Sequence, residues 1–253
     1  MMILKKIAKQ IARQLGVKDS LRNVTYKGTG FAVRNKNISF MSDEKFSRAW
    51  DFSHERNRPG WKDNVPDFRW QSHLACFAAH HGLSLDGDFA EFGVHTALLS
   101  ATICKFLDFD TVGKKFYLFD TYEGIPVGDS ISAKDSALAQ HHNENTYFDC
   151  FDIVKETFSD YPNVALVKGL LPESLDQIDL GKLAYVSIDL NNAEYEKQVI
   201  ERTWDKISDS AFILIDDYAY KGHEEQYDMW NSFAESKSRM IYTAPTGQGL
   251  LIK

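Results

Sequence analysis

A chain of 253 residues, 43% hydrophobic and 26% charged, has the composition of an ordinary globular protein. It is long enough for one large α/β domain, or for a domain with an appendage. Its formal net charge of -7 argues against general nucleic-acid affinity, which needs a basic stripe to displace counterions from phosphates. Cys76, Cys104 and Cys150 are widely spaced and form no CxxC unit, so neither a disulfide framework nor a zinc site is indicated. With no run near the ~18 apolar residues of a membrane span, a reduced, cytoplasmic setting is expected.

Residues 1–18 place Ile3, Leu4, Ile7, Ile11 and Leu15 on one helical stripe among Lys5, Lys6, Lys9 and Arg13. Such a basic amphipathic helix is expected to pack on its own domain or on a second subunit of a homo-oligomer. Weak contact with an anionic membrane surface is the other reading. Ser20 to Lys36 reads as a linker or an irregular β-like arm. Ser42 to His81 is rich in aromatics and arginine, with Trp50, Trp61, Phe68 and Trp70 beside Arg56, Arg58 and Arg69. Helices separated by Pro59-Gly60 are expected there, the second from about Asp67 to His80. Residues 1–82 thus form a helical and aromatic cap with an arm, and 83–253 the main domain. His73, His80 and His81 lack metal-type spacing and read as ordinary surface or core histidines.

At Asp86 the pattern changes. DGDFAEFGV reads as a turn and a strand, and Thr96 to Leu107 as a helix. A glycine after a strand lets the chain turn sharply and lets a ligand approach the backbone, and the helix N-terminus offers free amides. Glu91 could accept from a cationic amine, and His95 reads as an exposed loop histidine within reach of a ligand. The next strand, FYLFD, ends at Asp120, 29 residues after Glu91, near the spacing of a ribose-binding acid in a nucleotide unit. Val127 to Tyr147 is a long polar excursion placed to act as a lid over the strand ends.

Further on, VALVKG, LAYVSID and AFILIDD read as strands separated by helices. This alternation indicates a mostly parallel, doubly wound sheet. The closing stretch RMIYTAPTGQGLLIK reads as an antiparallel hairpin. His223-Glu224 is followed by Tyr227, where a zinc-protease motif needs histidine, which rules that motif out. The strand ends gather Asp120, Asp189, Asp216 and Asp217, and ligands of open α/β sheets bind beyond the carboxyl ends of the strands.

The segments GDFAEFGV, FDTYEGIP, VKGLLPESL, SIDLNNAEYE and LIDDYAYKG, in that order, resemble the macrocin O-methyltransferase family of class I S-adenosylmethionine-dependent enzymes. The resemblance implies a Rossmann-like, seven-stranded sheet whose last strand is antiparallel. It implies cofactor contacts from Glu91, Phe92, Gly93, Val94, His95, Thr121 and Gly169, with Asp120 at the ribose. It also implies a divalent cation, usually Mg2+, held by Asp189, Asp216 and Asp217. The chain departs from the family twice: His95-Thr96-Ala97-Leu98 stands where an aromatic-Arg-Gly-Gly stretch is common, and Asn191 where many members carry aspartate.

The expected reaction is metal-assisted methylation of a hydroxyl on a sugar or glycosylated natural product, with a saccharide or other small-molecule acceptor. Asp189 is expected to act as ligand or general base, and His223 is the other candidate base. A catechol-type acceptor, or a noncatalytic protein keeping the fold, are the competing readings.

Overall fold

The computed structural model describes residues 24–125, 137, 139–141, 143–144 and 146–253. The amphipathic stretch 1–18 and much of the expected lid lie outside them.

The arm between Ser20 and Lys36 contains a two-stranded antiparallel ribbon, β1 (Val24–Lys27) with β2 (Ala32–Arg34). Tyr26 ties this ribbon to the body of the protein. Its ring packs on Phe31 and Trp70, and its hydroxyl donates to Asp67 at 3.0 Å. Two helices follow, α1 (Glu44–Asn57) and α2 (Arg69–Gly82), on either side of the turns around Pro59-Gly60. Asp43 caps α1 by accepting from the Phe46 amide at 3.0 Å, satisfying a donor that the first turn leaves open.

The main sheet contains β3 (Asp88–Phe92), β4 (Phe116–Asp120), β5 (Val164–Lys168), β6 (Leu183–Ile188), β7 (Ile207–Ile215), β8 (Tyr242–Thr243) and β9 (Gly249–Ile252). Their spatial order is β5-β4-β3-β6-β7-β9-β8. Strands β3 to β7 pair in parallel, whereas β9 is antiparallel to both β7 and β8. The expected Rossmann-like, mostly parallel sheet of seven strands with an antiparallel last strand is therefore the fold of this chain. Helices α3 (Leu98–Leu107), α4 (Phe151–Thr157), α5 (Ala193–Thr203) and α6 (Glu224–Ser236) complete it.

Helices cover both faces, which is why the central strands read as unbroken apolar runs; every residue of β6 is buried. The alternation of strand side chains divides the core in two. Phe89, Phe116, Leu118 and Tyr185 face one side, with Phe46 of α1, Ala75 and Ala79 of α2, Ile103 of α3 and Val154 of α4. Ala90, Phe92, Val186 and Ile213 face the other, with Val199 and Ile200 of α5 and Trp230 of α6. The N-terminal helices α1 and α2 thus share one core with the sheet.

Two boundaries differ from expectation. Helix α3 starts at Leu98 rather than Thr96, because His95 (φ 48°) and Ala97 (φ 63°) take left-handed backbone that breaks the helical path. Strand β7 begins at Ile207, four residues before Ala211. Asp209 and Ser210 there are exposed and fall where the register with β6 shifts, between the pairs Leu183–Ile207 and Tyr185–Phe212, so no apolar run marks this start. Among the described residues, no helix is long and apolar enough to cross a membrane.

The sheet order reverses around β3, which has β4 on one side and β6 on the other. The chain leaves these strands in opposite directions, opening a crevice beyond their carboxyl ends.

Candidate active site

Strand β3 leads into Gly93, whose φ of 88° lies in the left-handed region and whose position admits no side chain. A Cβ there would overlap the carbonyl oxygen of Asp189. Glycine therefore lets the end of β3 lie directly against the end of β6. The next two amides, of Val94 and His95, donate to Asp120 Oδ2 at 2.6 and 2.8 Å, and the Tyr122 amide donates to Oδ1 at 2.7 Å. The carboxylate at the end of β4 consequently braces the turn after β3.

His95 is not the exposed loop residue expected from the sequence. Its ring sits between Trp61, Tyr147 and Phe148, with centroids 5.1, 4.6 and 5.3 Å away. Burial pushes its pKa down to about 4, so the imidazole is neutral at physiological pH.

A cleft opens at this turn, lined by Gly93, Val94, His95, Asp120, Thr121 and Gly169, and also by Tyr147, Asp189 and Asn191. Of the other expected cofactor residues, Phe92 points into the opposite core. Glu91 lines a second cavity, together with Trp61, Phe68, Gln71 and Asp216. The two cavities share Gly93, Val94, His95 and Asp189.

Asp189, after β6, stands on this shared wall and Asp216, after β7, lines the second cavity, whereas Asp217 lines neither. The Asp216 amide extends the ladder by donating to Ile188 O at 3.1 Å, and its Oδ1 accepts from Gln248 Nε2 at 2.8 Å. Gln248 is fully buried on the closing hairpin, which gives that hairpin a part in the site. Asp189 Oδ1 accepts from Asn191 Nδ2 at 3.0 Å, and the same amide nitrogen is 3.1 Å from the Tyr147 hydroxyl. Asn191 thus brings a hydrogen-bond donor to Asp189 where an aspartate would bring another negative charge.

Burial raises the pKa of Asp189, Asp216 and Asp217. Asp216 repels both of the others, and Asp217 also repels Asp189. Among the described residues, no three His, Cys, Asp or Glu side chains converge closely enough to hold an ion as they stand. The donor chemistry nevertheless fits a hard divalent cation: these are carboxylate oxygens whose mutual repulsion a cation relieves.

Glu91 is 3% exposed, and its Oε2 has no hydrogen-bond partner within the protein. Burial, helped by Asp216 and Asp120, pushes its pKa up to about 8 from an ordinary 4.5. Between these values the unfolded chain is ionised at this position while the folded chain keeps its proton. Stability is therefore lost as pH rises from about 4.5 to 8, by up to ~1.4 kcal/mol per pH unit from this group. Urea denaturation in EDTA is expected to show lower stability at pH 8 than at pH 5.5, and a shallower dependence in Glu91→Gln. An unchanged slope in that variant would refute the assignment.

Behind the aspartates lies a buried network centred on Glu196, which is 2% exposed. Its Oε1 accepts from the Leu190 amide and Gln226 Nε2, both at 3.2 Å, and its Oε2 accepts from Trp230 Nε1 at 2.7 Å. His223 joins from the start of α6: its Nδ1 is 2.8 Å from Gln226 Oε1 and 3.8 Å from Asp217 Oδ2. It lines neither cavity, and touches Asp217 from behind. Tyr147, Gln248, Glu196 and Gln71 were not singled out in the sequence, because their roles depend on neighbours distant along the chain.

The sheet order, the glycine turn and the acidic strand ends define a Rossmann-like methyltransferase. Solved structures of other methyltransferases share this fold, NovP, CalS11 and PaMTH1 among them. The O-methyltransferase NovP is 16% identical, with a TM-score of 0.68, covering 86% of this chain and 99% of that one. CalS11, a calicheamicin methyltransferase also described as a TDP-rhamnose 3'-O-methyltransferase, is 14% identical with a TM-score of 0.56, covering 90% and 99%. The S-adenosylhomocysteine-bound Podospora anserina methyltransferase PaMTH1 is 12% identical with a TM-score of 0.55, covering 88% and 98%. Comparison with curated proteins gives no match. Residues 67–242 match the macrocin O-methyltransferase (TylF) family. The chain belongs to that family, and so to the S-adenosylmethionine-dependent O-methyltransferases.

Proposed function

We propose that this chain methylates a hydroxyl of a sugar or glycosylated small molecule. S-adenosylmethionine occupies the cleft beside Gly93 and Asp120, and the acceptor occupies the cavity beside Trp61 and Phe68. The observation that carries this reading is the wall common to both cavities, formed by Gly93, Val94, His95 and Asp189. A methyl group passing from one ligand to the other crosses there.

In-line displacement requires the acceptor oxygen, the methyl carbon and the sulfonium sulfur to be aligned. Gly93 admits the cofactor close to the backbone, and the braced turn fixes that approach. Asp189 stands at the crossing and accepts the hydroxyl proton as the new O–C bond forms and the C–S bond breaks. Asp189, Asp216 and Asp217 would hold a divalent cation, with Mg2+ favoured by their oxygen donors. Such a cation supplies Lewis acidity that lowers the hydroxyl pKa. His223 acts through Asp217 as a positioning residue. Trp61, Phe68 and Gln71, ahead of β3, provide the acceptor side of the site, while the ring of His95 helps to keep water from the transfer point.

Calorimetry with S-adenosylhomocysteine, followed by transfer of labelled methyl to TDP-rhamnose, methyl glycosides and catechols, tests the proposal. Binding of S-adenosylhomocysteine and labelling of a glycoside are the expected results. Absence of binding removes the cofactor assignment, and labelling of catechols alone removes the sugar assignment.

A further inference from the structure

The acceptor-side cavity contains a concentration of unpaired polarity. Ten buried side-chain nitrogen and oxygen atoms of the described residues lack a hydrogen-bond partner within the protein, and four of them belong to Gln71, Glu91 and His95 at this one cavity. They are both polar atoms of Gln71, Glu91 Oε2 and His95 Nε2. Gln71 is 3% exposed and stands on the first turn of α2. The Tyr220 hydroxyl is near enough for the amide to act on it, but without the geometry of a hydrogen bond. Leaving buried polar atoms unpaired is costly. A ligand that pairs them recovers that cost, and one that cannot is rejected.

We infer that Gln71 reads the acceptor: its amide pairs with a ring hydroxyl other than the one that is methylated. This rests on the proposed function above, whose reacting hydroxyl lies at Asp189. The amide offers a donor at Nε2 and an acceptor at Oε1, and a hydroxyl serves both. Asp189 and Gln71 line the same cavity, so a ligand that fills it meets both residues. A catechol has only its two adjacent hydroxyls, whereas a pyranose carries hydroxyls around its ring. The cavity's aromatic wall suits the C–H faces of such a ring. Trp61 is fixed in that wall by a 3.0 Å hydrogen bond from Nε1 to Thr96 Oγ1. The acceptor class is therefore a neutral, polyhydroxylated ring.

Saturation-transfer NMR of methyl α-L-rhamnopyranoside and other methyl pyranosides, with the full chain, S-adenosylhomocysteine and Mg2+ present, tests the assignment. Wild type is expected to bind at least one glycoside, and Gln71→Leu to weaken that binding by about tenfold or more. The same variant should bind S-adenosylhomocysteine as wild type does, and should melt no lower without ligand, because it removes two unpaired polar atoms. Equal glycoside binding by wild type and Gln71→Leu overturns the inference, as does a loss of stability that accounts for the weaker binding. Failure of wild type to bind any glycoside while S-adenosylhomocysteine binds also overturns it, whereas failure to bind S-adenosylhomocysteine strikes the proposed function itself.

Discussion

Asp189→Asn is expected to lower kcat by about 10³-fold or more while S-adenosylhomocysteine still binds. Asparagine keeps the shape of the side chain and can still accept from Asn191, so the backbone at the end of β6 has little reason to move. It cannot take a proton, however, and it removes one negative charge from a group of three. Asp189 is also the carboxylate common to both cavities, so neighbouring acids cannot replace it at the point of transfer. Asp216→Ala combined with Asp217→Ala should abolish Mn2+ binding, measured by electron paramagnetic resonance, and lower turnover similarly. The assay is methyl transfer to the best acceptor found among TDP-sugars, methyl glycosides and catechols. Turnover within tenfold of wild type in Asp189→Asn would exclude Asp189 as the base, and unchanged turnover in the double variant would end the metal assignment.

The parts of this fold legible in the sequence are those governed by local periodicity and burial. Strands covered on both faces must be apolar throughout, so FYLFD, LAYVSID and AFILIDD announce themselves. The acids that end them stand out because nothing in the core calls for them. The same alternation explains why Glu91 and Phe92 part company: adjacent strand residues face opposite layers, so only Glu91 reaches the acceptor-side cavity. What the sequence leaves unread is set by distant contacts. Gln248 lies between two glycines that suit a turn, and nothing local says that its amide reaches Asp216, 32 residues away along the chain. The burial of His95 depends on Trp61 and on Tyr147 and Phe148, from opposite ends of the sequence around it. The absence of glycine at His95-Thr96-Ala97 does not prevent the left-handed turn; His95 and Ala97 adopt it, bound into a site whose amides Asp120 accepts.

Glu196→Ala is expected to cost about 3–5 kcal/mol in urea denaturation, because it leaves the Leu190 amide, Gln226 Nε2 and Trp230 Nε1 buried without their acceptor. The damage reaches the site as well. Leu190 follows Asp189 directly, and Gln226 holds His223 beside Asp217, so one carboxylate links the loops that carry two of the three aspartates. Glu196→Gln separates this positioning role from simple folding. It keeps the volume and one acceptor, and its stability cost should be smaller, ~2 kcal/mol, from the donor that its own amide must face. It also removes a negative charge that raises the pKa of both Asp189 and Asp217. Loss of a like charge makes ionisation easier, so the acid limb of the pH profile, where the base loses its proton, should move to lower pH. The pH profile of methyl transfer should therefore shift toward acid in Glu196→Gln, whereas a residue that only fills space would leave it where it was. A Glu196→Gln enzyme with wild-type stability and an unmoved profile would show that α5 and α6 support the aspartates without setting their charge.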